Sequence, residues 1–108
     1  MTTTPAKHTF WVTFRLEKDA NYDKRLAALE EAIRTAATEV WWKDPTSFIM
    51  FFSTKTIDQI ADAVKAVIDV KKDVVLVSMT EFKDGRLIGV SPKEADLVKL
   101  MPFVKKKA

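Results

Sequence analysis

Residues 47–64, SFIMFFSTKTIDQIADAV, join a strand to a helix across a marked boundary. Ser47 to Ser53 is built from Phe, Ile and Met, residues that suit a pleated, buried strand. Thr56-Ile57-Asp58-Gln59 then forms a capping box, in which the Thr hydroxyl takes an orphan N–H and Gln reaches back. Ile57, Ile60, Ala61, Val64, Val67 and Ile68 follow at helical spacing and define an amphipathic helix. The strand is apolar on both faces and the helix on one, so the strand belongs inside a sheet that the helix covers.

The flanking segments complete the pattern. His8 to Leu16 alternates, with Phe10, Val12, Phe14 and Leu16 on one face and Trp11, Thr13 and Arg15 on the other. After a charged loop from Glu17 to Asn21, Tyr22, Leu26, Leu29, Ile33 and Ala36 or Ala37 mark a first helix, capped by Asn21 or Asp19. Glu39 to Lys43 is a second strand, turned into the third by Asp44-Pro45-Thr46. Lys71-Lys72-Asp73 ends the second helix. Val74 to Phe82 reads as a fourth strand, Asp84-Gly85 as a tight hairpin turn and Arg86 to Val90 as the returning strand. Ser91-Pro92-Lys93-Glu94 reads as a second capping box, opening a short helix to about Leu100 that Pro102 stops.

Strand, helix, hairpin, helix, strand is the ferredoxin-like order. The expected fold is therefore α+β: a βαββαβ antiparallel sheet with both helices on one face, plus a C-terminal hairpin strand and a short helix. The expected organisation is a disordered N-terminus over 1–8, one domain over 9–101 and a basic tail over 102–108.

Composition limits the chemistry. The 108 residues are 47% apolar and include no cysteine, which excludes disulfides, zinc–thiolate sites and thiol nucleophiles. Absence of cysteine fits a reducing cytoplasm. The N-terminus lacks the apolar core of a secretory signal, and no apolar run approaches the ~20 residues of a membrane span. The net charge is +3, but removing Lys105, Lys106 and Lys107 leaves 15 basic residues against 15 acidic ones. The body of the protein is thus neutral.

An open sheet face would carry the function. Trp11, Thr13 and Arg15 lie on it, with one of Trp41 and Trp42. The third strand adds Ile49 and Phe51, or Phe48, Met50 and Phe52, according to its register. The expected face is Trp11, Thr13, Arg15, Trp41, Trp42, Ile49 and Phe51. Soluble proteins rarely expose so large an apolar patch. A second copy of the chain could cover it, or unstacked nucleobases could lie on its aromatic rings. The neutral body lacks the cations that phosphate binding requires, so homodimerisation is favoured over nucleic acid.

Nothing else in the chain forms a catalytic constellation. His8, the lone histidine, has no evident acid–base or metal partner. Asp58 and Asp62 stand one turn apart, an arrangement already explained by the helix dipole. The only glycines, Gly85 and Gly89, lie in the last hairpin and cannot form a phosphate loop. No cofactor and no metal site are expected.

Phe14-Arg15-Leu16 closing a first strand, Asp23-Lys24-Arg25 opening a helix, and Ser47-Phe48 in the second arm of a hairpin resemble a known family. It is the superfamily of small CRISPR-associated endonucleases and virulence-associated protein D toxins, over about residues 9 to 90. The resemblance implies a ferredoxin-like homodimer with facing sheets, in which Arg86 to Val90 completes the partner's sheet. Nuclease members carry a metal-binding Asp after a Tyr at the end of the first strand. Here the dipeptide is Phe14-Arg15, and a guanidinium repels a cation. The expectation is a non-catalytic homodimer, a regulatory or interaction module. The alternatives are a divergent metal-dependent nuclease using Glu17 or Asp19, a single-stranded nucleic-acid binder, and a small-ligand sensor resembling amino-acid-binding regulatory domains.

Overall fold

A computed structural model describes residues 6–107. The chain is α+β. Its strands are β1 (His8–Arg15), β2 (Thr38–Trp42), β3 (Phe48–Ser53), β4 (Val74–Met79), β5 (Gly85–Gly89) and β6 (Val104–Lys107). Its helices are α1 (Tyr22–Ala36), α2 (Ile57–Lys65) and α3 (Glu94–Leu100). All strands join one sheet in the order β2-β3-β1-β4-β5-β6. Neighbours are antiparallel except β5 and β6, which are parallel. The sheet is therefore mixed, and longer than the antiparallel one expected.

Right-handed crossovers decide which face each helix covers. The path β1–α1–β2 moves one way along the sheet. The path β3–α2–β4 moves the other way and starts from a reversed strand. The two reversals cancel, so α1 and α2 share a face. The path β5–α3–β6 moves as β3–α2–β4 does but starts from a strand of opposite direction, which sends α3 to the other face. Packing agrees. Leu29 and Ile33 of α1 and Ile60 and Val64 of α2 form one core with Phe10, Val12, Ile49, Phe51, Val75, Val77 and Ile88. A Cβ on Gly85, which faces away from that core, would lie 3.5 Å from Met101 Cε and 3.3 Å from Val104 Cγ2. Leu87, on the same outer side, is buried without belonging to the core under α1 and α2.

Several expectations need correction. β4 ends at Met79, and residues 80–84 form the hairpin loop, because Asp84 O accepts from both Met79 N and the Ser78 hydroxyl. The expected basic tail is largely β6. Two of its three lysines are held by carboxylates: Lys106 by Glu94 at 2.9 Å, and Lys107 by Asp62 at 3.0 Å and Asp58 at 3.4 Å. β5 does not stand free for a partner's sheet, since β4 and β6 occupy both its edges. The capping box at α2 is present in full, with Gln59 N donating to the Thr56 hydroxyl. The second one is not: Ser91 Oγ accepts from Lys93 N in a turn, and α3 starts a residue later. Nor does Asn21 cap α1 through its side chain. Of the N-terminus expected to be disordered, residues 1–5 lie outside the described residues. Lys7 pairs with Glu39 at 2.9 Å, and His8 begins β1.

Candidate interaction face

The β1–β3 register settles which side chains look outward. Trp11 stands opposite Met50 and Thr13 opposite Phe48, while Phe10 stands opposite Phe51 and Val12 opposite Ile49. Ile49 and Phe51, expected on the open face, are instead core residues at 1% and 2% exposure. Their phase follows from Ser53, whose hydroxyl donates to Ala36 O at the end of α1 at 2.7 Å and so faces the helices. The outer set on β3 is Phe48, Met50 and Phe52. Of the tryptophan pair, Trp42 stands opposite Met50 on the outer face and is exposed. Trp41 is opposite Phe51 and packs against the core. Arg15 lies at the exposed end of β1, on the rim of the outer face.

These residues make one aromatic group. The Trp11 and Phe48 rings stack with centroids 6.0 Å apart and planes at 18°. Trp42 meets Phe48 edge-on at 6.2 Å. Such pairs hold rings in fixed orientation as well as burying area. Beside them Val40, Trp41, Trp42, Met50 and Phe52 line a hollow of about 150 Å³. A bulge opens it: the β2–β3 register shifts between Thr38 and Trp41, and Glu39 has φ 66°. A bulge on an edge strand also discourages further strand pairing there.

Charge at the rim is internally balanced. Lys43 pairs with Glu30 at 2.8 Å, Lys7 with Glu39, and Arg15 lies 3.9 Å from Glu17. Lys7 and Lys43 also lie over the rings of Phe52 and Trp41, at 4.5 and 5.1 Å. The face therefore offers hydrophobic area rather than net positive charge.

The carboxylates considered for metal work already have other partners. Asp19 accepts from Arg25 Nη1, from Asn21 N and from Lys72 Nζ. Those three, Arg25 foremost, hold its carboxyl down at about 2. Asp58 is likewise held at about 2, chiefly by Arg86 and then by Lys107. Among the described residues no group of three or more His, Asp or Glu side chains is placed to hold a metal. His8 has a partner that the sequence did not reveal: its Nδ1 lies 3.1 Å from Glu81 Oε2. Glu81 also accepts from Thr9 N, and these bonds, the backbone one first, lower its pKa.

Both aspartates make acid stability predictable. A carboxyl with a folded pKa near 2 and an unfolded one near ~3.9 stabilises the fold above the unfolded value. That stability is lost as pH falls from ~4 toward ~2. The melting temperature should hold steady down to about pH 5 and then drop steeply. In Asp19→Asn the drop should be shallower, and circular dichroism melts across pH 2 to 6 would read both. An unchanged slope in the variant would show that Asp19 is not one of the groups responsible.

Comparison with family models, curated proteins and solved structures finds no match to this chain. No helix among the described residues is long and apolar enough to cross a membrane.

Proposed function

We propose that this chain is a non-catalytic homodimer that uses the outer sheet face as its interface, with β1 to β4, α1 and α2 forming a ferredoxin-like unit. The order β2-β3-β1-β4, with α1 and α2 on one face, supports the unit; β5, α3 and β6 extend it. The observation that carries the functional reading is the Trp11–Phe48–Trp42 group on an uncovered face with no unbalanced cations around it. A face of that kind gains by meeting apolar surface, and an identical face supplies it through two-fold symmetry. The role is then regulatory or scaffolding, in the cytoplasm, which the absence of cysteine supports. The resemblance to the CRISPR-associated and toxin superfamily supports the dimer. Its nuclease activity does not carry over, because Arg15 replaces the metal-binding Asp and Asp19 is committed to Arg25 and Lys72.

Light scattering behind a sizing column should find a dimer at micromolar concentration. Trp11→Ala should weaken association by ~2 kcal/mol or more, as loss of a central aromatic anchor does. A native protein that stays monomeric across the concentration range would defeat this reading. So would a dimer that is indifferent to Trp11→Ala but loses tight oligonucleotide binding in that variant, which would reassign the face to base stacking.

A further inference from the structure

On the helix side of the sheet the core is left unfinished at one end. Val12 of β1 and Leu29 and Ile33 of α1 are fully buried. Phe14, Tyr22 and Leu26, which continue the same two rows toward the start of α1, are only partly buried. They floor a cleft of about 260 Å³ whose outer wall is the β2–β3 turn, Asp44 to Ser47. That volume lies just under the ~300–1,000 Å³ typical of ligand pockets, so an occupant must be small.

The wall of the cleft is fixed. Ser47 has φ 59°, in the left-handed region that residues with a Cβ seldom enter. Its carbonyl accepts from Phe14 N at 3.2 Å and from the Thr13 hydroxyl at 3.1 Å, which holds the turn against β1 in that conformation. Strained backbone of this kind gathers at ligand clamps, and a wall already in place costs a ligand little ordering.

We propose that this cleft binds a small organic ammonium ion carrying one apolar group, a ring or a branched alkyl chain. The apolar group covers Phe14, Tyr22 and Leu26 and completes the core end that the chain leaves open. The sign of the charge follows from the rim. Glu30 and Lys43 neutralise each other at 2.8 Å, and Lys43 also lies over the Trp41 ring at 5.1 Å. Lys18, over the Tyr22 ring at 5.5 Å, is not one of the residues lining the cleft. Asp44 has no ion pair among the described residues, so the uncompensated charge of the cleft is a carboxylate. The hydroxyls of Tyr22, Thr46 and Ser47 also have no hydrogen-bond partner among the described residues, and they offer acceptors to the remaining ammonium N–H groups. The cleft lies on the side of the sheet away from the Trp11–Phe48–Trp42 group, so this site does not depend on the homodimer reading.

The experiment titrates the full chain with phenethylamine and follows the amide resonances by nuclear magnetic resonance. Saturable shifts with a Kd of ~1 mM or tighter should centre on Phe14, Tyr22, Leu26, Asp44, Thr46 and Ser47. Hydrocinnamate, of similar size but with a carboxylate in place of the ammonium, should bind ~fivefold or more weakly. Asp44→Asn should weaken phenethylamine by about the same factor. Asp44 is exposed, so this variant should fold, and its own amide spectrum verifies that. Absence of saturation by ~10 mM, equal binding of hydrocinnamate, or an Asp44→Asn variant that binds as the native chain does would each overturn the proposal. Shifts centred instead on the hollow beside Trp42 would overturn it too, by placing the amine on the other face.

Discussion

Replacing Asp73 with alanine should lower the stability of the fold by ~3–5 kcal/mol, the range for removing one partner of a buried ion pair. The Asp73 side chain is fully buried, and its carboxylate organises three segments. It accepts from Glu17 N and from Asp69 N, both at 2.8 Å. It also accepts from Arg25 Nε at 2.9 Å and Nη2 at 3.3 Å. Arg25 reaches onward to Asp19 at 3.0 Å and to Glu17 O at 2.9 Å. One carboxylate thus ties the end of β1, the start of α1 and the approach to β4. Truncation leaves two backbone N–H groups unpaired and removes a buried counter-charge from a guanidinium that is itself mostly buried. Domains of this size are stable by only ~5–15 kcal/mol, so the loss is a large fraction of the whole. Urea unfolding should show a lower midpoint at unchanged slope. Asp73→Asn should fall between the two, because an amide keeps one acceptor but turns its N–H₂ toward a donor. A loss under ~1 kcal/mol for the alanine variant would mean that water enters and satisfies the freed groups.

That cluster also shows what can be read from a sequence and what cannot. Periodicity locates β1, α1 and α2, because each has one polar and one apolar face. β3 gives no such contrast, since Phe48 to Phe52 are apolar on both sides. Polarity at Ser53 even argues for the wrong phase: its hydroxyl is buried and satisfied by the end of α1, a contact 17 residues away. The lysines of β6 have the composition of a solvated tail; the parallel pairing with β5 makes them part of the sheet, and Asp58, Asp62 and Glu94 neutralise Lys106 and Lys107. On an edge strand, lysines also discourage pairing with another chain. Arg25 and Asp73 are 48 residues apart, and nothing local marks them as partners. Local patterns thus report which residues face the core. The pairing of charges, and the face that α3 covers, follow from topology.

Gly89→Ala should be the other severe substitution, costing ~3 kcal/mol or more from backbone strain and overpacking together. Gly89 has φ +91°, a conformation that residues with a Cβ rarely adopt. A Cβ built there would lie 2.0 Å from Asp73 O and 2.9 Å from Asp73 C. Both atoms are backbone, so no side-chain rotation relieves the clash, and one strand must move. The same Asp73 O accepts from Val90 N at 2.9 Å, which closes the end of the β4–β5 ladder. Displacing it would disturb the pairing of Val74 with Gly89 and the seat of the Asp73 carboxylate. Neighbouring effects of this kind do not add, so Gly89→Ala in an Asp73→Ala background should cost less than it does alone. Gly85→Ala is the control. Its Cβ would stand 3.3 Å from Val77 O and from Val104 Cγ2, a tight fit in which the Val104 side chain can yield. Urea unfolding of both variants should give the larger loss at Gly89. Equal losses would show that the close approach to Asp73, rather than being fixed by the fold, relaxes at little cost.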